Sequence, residues 1–119
     1  MNFDVVIDPK ARFVRVALSG NPSIGQMLSM IHLLGVESET WEQTATLVDL
    51  RGVETEFSQL EQFRIGEEAA SSLSHMDKIA SVVTKARITR ISERAARRNG
   101  IDLCVFGDEG EAVAWLLGD

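Results

Sequence analysis

Thr44-Ala45-Thr46-Leu47-Val48-Asp49-Leu50, closed by Gly52, is the stretch from which the fold of this 119-residue chain is read. Its β-branched and aliphatic residues suit an extended strand, and glycine ends it. What stands on either side makes it one strand of an alternating sheet. After it, Ser58 to Leu73 reads as a helix with Phe57, Leu60, Phe63, Ala70 and Leu73 on the core side. Ser58 with Glu61 forms a capping box at its start. Before it, Ile24, Met27, Leu28, Ile31 and Leu34 recur at helical spacing, and Gly35 ends the run. Two caps compete for that earlier helix: Asn21 with Pro22 at the first helical position, or Ser23 with Gln26 as a capping box.

Further out, Phe3-Asp4-Val5-Val6-Ile7 and the run from Arg12 to Leu18 read as two strands around the turn Asp8-Pro9-Lys10-Ala11. A short loop between two such runs makes an antiparallel hairpin. Downstream, Ile79-Ala80-Ser81-Val82-Val83 reads as a strand and Ala86 to Asn99 as a helix stopped by Asn99-Gly100. Ile101 to Phe106 is a fifth strand, and Glu109 to Leu117 a last helix whose Ala112, Trp115 and Leu116 share one face, so Trp115 is expected to be buried against the sheet. The predicted order is ββαβαβαβα. This is an α/β fold with a single mixed, mostly parallel sheet of about five strands, an N-terminal β-hairpin at one edge and about four helices. With no linker or composition shift along it, the chain reads as one domain over 1–119.

Composition narrows the function. Hydrophobic residues make up 45% and charged residues 25% of the chain, the balance of an ordinary globular domain. The formal net charge of −6 opposes a phosphate backbone, so no nucleic-acid partner is expected. One cysteine, Cys104, allows no internal disulfide and suits a reducing compartment. The N-terminus lacks the basic and apolar regions of a secretory signal, and no apolar run approaches the roughly 18 residues of a membrane span. The expected location is cytoplasmic, with no integral membrane segment.

Enzymatic signatures are missing. His32 and His75 have no Cys or His at metal-ligand spacing, so no metal site is expected, and no cofactor motif such as G-x-G-x-x-G occurs. There is no G-x-S-x-G elbow for a nucleophilic serine. Cys104, among Leu103, Val105 and Phe106, reads as a small inert hydrophobe.

Asp49-Leu50-Arg51-Gly52-Val53, following Thr46-Leu47-Val48, resembles the strand-end motif of STAS domains, shared by sulphate transporters and anti-sigma-factor antagonists. The ending Val105-Phe106-Gly107-Asp108-Glu109-Gly110-Glu111-Ala112-Val113-Ala114-Trp115-Leu116 is similar to that of a bacterial STAS-like subfamily named after the sporulation anti-anti-sigma factor. The fold of that subfamily is related to the CRAL-TRIO lipid-binding domain. The resemblance spans the whole chain in element order. In the antagonists the motif continues to Asp-Ser-Ser-Gly, whose first serine is phosphorylated. Counting on without gaps places Ser58 there, while Phe57, Gln59 and Leu60 replace the other three residues. The resemblance therefore makes Ser58 a candidate phosphorylation site, although its local sequence makes it a helix cap. It implies a non-enzymatic regulatory domain that contacts a protein partner. The alternative it implies, through the CRAL-TRIO relatives, is a binder of a small apolar or lipid-like ligand.

One surface stands out. From Lys78 to Arg98 there are seven basic residues against one acid, Glu93, a net +6, so the rest of the chain carries −12. On a continuous helix at about 100° per residue, Arg87, Arg90, Arg94, Arg97 and Arg98 form one stripe. It reads either as a solvated face or as a contact for an acidic partner, an anionic head group or a second copy in a homodimer.

Overall fold

Two strands lead, as predicted, in the computed structural model, which describes residues 3–118. β1 (Phe3–Pro9) pairs antiparallel with β2 (Val14–Gly20), Val6 lying opposite Ala17. β3 (Ala45–Val53), β4 (Lys78–Val82) and β5 (Leu103–Phe106) then add in chain order, each parallel to its predecessor. The connections are α1 (Ile24–Ser38), α2 (Gln59–Ser72) and α3 (Ile91–Arg98), and α4 (Glu109–Leu117) follows the last strand. Among the described residues this is a five-stranded mixed sheet with four α-helices.

The topology dictates the layers. Each parallel crossover steps one strand in the same direction, so right-handed connections put α1, α2 and α3 on one face. α4 lies on the other, against β3, β4 and β5. Strand alternation sorts the side chains accordingly. Val14, Val16, Leu18, Ile79 and Val105 face the three-helix layer, while Leu47, Ala80 and Val82 meet Ala112 and Leu116 of α4.

The caps resolve in favour of the serines. Ser23 accepts from the Gln26 N–H and Gln26 returns a bond to the Ser23 N–H. Ser58 and Glu61 make the same reciprocal pair at the start of α2. Each box satisfies two N–H groups that the helix itself cannot.

Four local expectations are corrected. Gly35 does not stop α1, which runs on to Ser38. It lies at the crossing with α2, where any Cβ would overlap the Ser72 carbonyl, so it serves close approach rather than termination. Leu60 is not a core residue but 69% exposed, because the capped first turn of α2 points it outward. Trp115 is half-buried rather than buried: its ring leans on Phe106 at 5.7 Å and under the Lys78 ammonium at 5.0 Å.

The predicted helix over 86–99 is broken. Lys85–Arg87 is a short 3-10 turn, Ile88 is extended, Arg90 is left-handed at φ 62°, and α3 begins only at Ile91. The β-branched pair Ile88-Thr89 is a weak helix former. The Arg87 guanidinium, donating to the carbonyls of Val53 and Glu54, anchors the turn at the end of β3.

Candidate functional site

The sheet and the helices α1 and α2 do not close on one another. Between them lies a cavity of about 370 Å³. Its floor is the inner face of the sheet: Leu18 of β2, Val48, Leu50 and Val53 of β3, Ile79 and Ser81 of β4, Leu103 and Val105 of β5. Its roof is Met27, Met30, Ile31 and Leu34 of α1 with Ile65 and Ala69 of α2. Strands β3 and β4 are interior to the sheet, yet Val48, Leu50 and Ser81 keep partial exposure, because their faces look into this space.

Apart from Ser81 in the floor, the polar lining collects at one end. Thr55, Glu56, Arg87, Thr89 and Arg90 come from the segments that follow the C-terminal ends of β3 and β4. Ligands of open parallel sheets sit in the crevice at those ends. The segment after β3 is tied down from several sides. Thr55 Oγ1 lies 2.6 Å from the Pro22 carbonyl, Gln62 donates to the Phe57 carbonyl at 2.9 Å, and Thr89 bonds Gln62 in turn. Arg90 donates to Glu93 at 3.0 Å and to the Val105 carbonyl at 3.2 Å, and its left-handed backbone is held by these bonds. Arg87 is half-buried and meets only carbonyl oxygens; no carboxylate pairs with it among the described residues.

The opposite face carries a different arrangement. Asp49 and Arg51, alternating with Val48 and Leu50, point toward α4. Arg15 donates to both oxygens of Glu109 at 2.9 Å and to Asp49 at 2.7 Å. Arg51 bridges Asp49 at 2.9 Å and Glu109 at 2.6 Å. Hydrogen bonding from Arg51 holds the Asp49 carboxyl below its usual range, and Arg15 does the same for Glu109. The Glu109 carboxylate raises Arg15 in turn. The charges of the Asp-Leu-Arg-Gly segment are thus spent inside the fold, joining β2, β3 and α4.

The remaining candidates are dispersed. Ser58 is exposed at the α2 N-cap, its oxygen engaged by the Glu61 N–H. The arginine stripe does not form, since the break at 88–90 separates Arg87 and Arg90 from the rest. Arg87 and Arg90 reach the cavity mouth. Arg97 donates to the Leu103 carbonyl and pairs with Asp102 at 3.3 Å, while Arg94 and Arg98 are exposed on α3. Cys104 is half-buried, and burial pushes its thiol up. His32 is exposed, and His75 lies 2.7 Å from the Ser38 hydroxyl, joining the ends of α1 and α2. Among the described residues no group of three or more His, Cys, Asp or Glu could hold a metal ion.

The sequence reading missed the cavity and the four-residue charge network. One signal for the cavity was present: Ser81 sits between Ile79 and Val83 on a face that otherwise asks for apolar residues.

No family model matches this chain, and no curated protein does. Solved structures do. An anti-sigma factor antagonist from Mycobacterium paratuberculosis superposes with a TM-score of 0.59 at 14% identity, over 96% of this chain and 93% of that one. An uncharacterized DUF3478-family protein with a SpoIIAA-like fold, from Shewanella loihica PV-4, gives 0.54 at 14% identity, over 97% and 94%. With these superpositions, its five-stranded mixed sheet, antiparallel first pair and four helices among the described residues, the architecture of this chain is a STAS-like α/β fold.

Proposed function

We propose that this chain is a single-domain, non-enzymatic regulatory module of STAS type whose input is a small apolar molecule held between the sheet and α1–α2. The cavity carries the proposal. Protein interiors hold few voids larger than a water molecule. A pocket of about 370 Å³ lined mainly by apolar side chains falls in the range of small-molecule sites, about 300–1,000 Å³. A fold that keeps such a space open gains from filling it. The lining suits binding rather than turnover. Its hydroxyls, Thr55, Ser81, Thr89 and Ser92, have no histidine or carboxylate base within hydrogen-bond reach among the described residues.

The output in this reading is a protein contact, made in the cytoplasm. Thr55, Glu56 and Phe57 line the cavity and lead into Ser58, the N-cap of α2, so occupancy would be felt at the exposed N-terminus of α2. The likeness to an anti-sigma factor antagonist supports a second reading, a protein-interaction module that needs no ligand. Phosphorylation of Ser58 and homodimer formation belong to that reading.

Native mass spectrometry of freshly purified protein separates the two. An adduct of small-molecule mass that disappears on denaturation supports the ligand reading. An empty monomer or dimer, together with no uptake of added medium-chain alcohols, overturns it.

A further inference from the structure

Resting on the cavity reading above, we infer that the ligand is a single-chain amphiphile with an anionic end, its chain along β4 and its charge at Arg87. Three observations lead there. The first is the axis of the cavity. The floor runs from Ile79 at the start of β4 to Val83 just beyond its end, and apolar residues line its deep part on both sides. Apart from Ser81 in the floor, polar and charged residues meet it at one end. A ligand matching that gradient has an apolar body and one polar terminus.

The second is the charge state of that end. The mouth has three ionisable side chains, Glu56, Arg87 and Arg90. Glu56 is exposed, and Arg90 is paired with Glu93. Arg87 is the partly buried cation left without a carboxylate among the described residues. Its two hydrogen bonds go to carbonyl dipoles, which orient the guanidinium without neutralising it. A partly desolvated guanidinium facing an apolar chamber favours an anion, and its planar fork suits a carboxylate or a phosphate oxygen pair.

The third is size. Small-molecule pockets run from about 300 to 1,000 Å³, and at about 370 Å³ this one stands at the small end. That fits one medium-length chain with its head. A two-chain phospholipid, with several times as many atoms, does not fit. The site therefore selects free single-chain acids or single-chain phosphates over bilayer lipids.

The test compares decanoate, decyl phosphate and decanol by isothermal titration calorimetry, on the wild type and on Arg87→Gln. The expected result is that at least one anion binds about 10- to 100-fold more tightly than decanol, the range of a charged hydrogen-bonded contact. In Arg87→Gln that preference falls to within a few-fold while decanol affinity is retained. Retained decanol binding also shows that the variant keeps the cavity, although Arg87 helps anchor the segment at Val53 and Glu54. Equal binding of all three ligands to the wild type, or an anion preference that survives Arg87→Gln, overturns the inference and leaves the cavity reading intact. Failure of all three to bind overturns both. Decanoate against decyl phosphate distinguishes the carboxylate from the phosphate end.

Discussion

Ser81→Ile puts the cavity to a test whose sign decides the matter. Ser81 lies in the middle of β4, opposite Val48 of β3 and Val105 of β5, and faces the chamber. Its hydroxyl makes no hydrogen bond with another described residue. Isoleucine places three carbons where one oxygen stood and suits an interior strand by its branching. At about 0.8 kcal/mol per buried methylene, filling the existing space stabilises the protein by about 2 kcal/mol. For a chain of this size that raises Tm by roughly 8 °C. A core with no such space would instead be overpacked, and the same change would destabilise it by about 1–3 kcal/mol. Urea and thermal unfolding of the two proteins without added ligand measure the difference. The variant is also expected to lose affinity for decanol, since its side chain occupies the floor. A fall in Tm, or a rise with decanol binding unchanged, would refute the geometry of the site.

Other expectations concern the frame around it. Ser58→Ala is expected to cost about 0.5–2 kcal/mol in urea unfolding, because the Glu61 N–H loses its acceptor. Gly66→Ala should destabilise by about 1–3 kcal/mol although alanine is the better helix former, since its Cβ would overlap the Ser92 carbonyl and part α2 from α3. The Arg15–Asp49–Arg51–Glu109 network predicts a pH dependence. Both carboxyls titrate below their unfolded values of about 4, so their contribution is complete above roughly pH 5 and is lost as pH falls through the folded values. The stability gap between wild type and Asp49→Asn, followed by urea midpoints, should therefore shrink below about pH 4; a gap constant from pH 7 to pH 3 would contradict the network.

How far the sequence carried depends on the range of the interactions involved. Element order, the hairpin edge and the capping box of α2 were legible because each is written in neighbouring residues: the β-branched and aliphatic run of β3, helical spacing in α1, Ser58 with Glu61. The start of α1 left two caps open, and packing chose Ser23. Gly35 and Gly66 look like interruptions in one dimension and are helix crossings in three. Arg87 shows the same limit more sharply. Local spacing assigns it to a helical stripe, whereas its partners, the carbonyls of Val53 and Glu54, lie more than thirty positions away. Those long-range bonds outweigh a weak local helix preference and turn the side chain to the cavity. The cavity itself is a mismatch between layers, and a chain read element by element contains only a trace of it, at Ser81.

The most direct measurement of the central claim is a methyl-resolved NMR titration with 1-octanol, a ligand soluble enough to reach saturation. The two cores of the sheet supply an internal control. The account predicts shifts at the methyls of Leu18, Ile31, Val48, Leu50, Ile65 and Val105, which line the cavity, and none at Leu47, Val82 and Leu116 under α4. Shifts spread equally over both faces, or no saturable shifts at the cavity methyls, would contradict it.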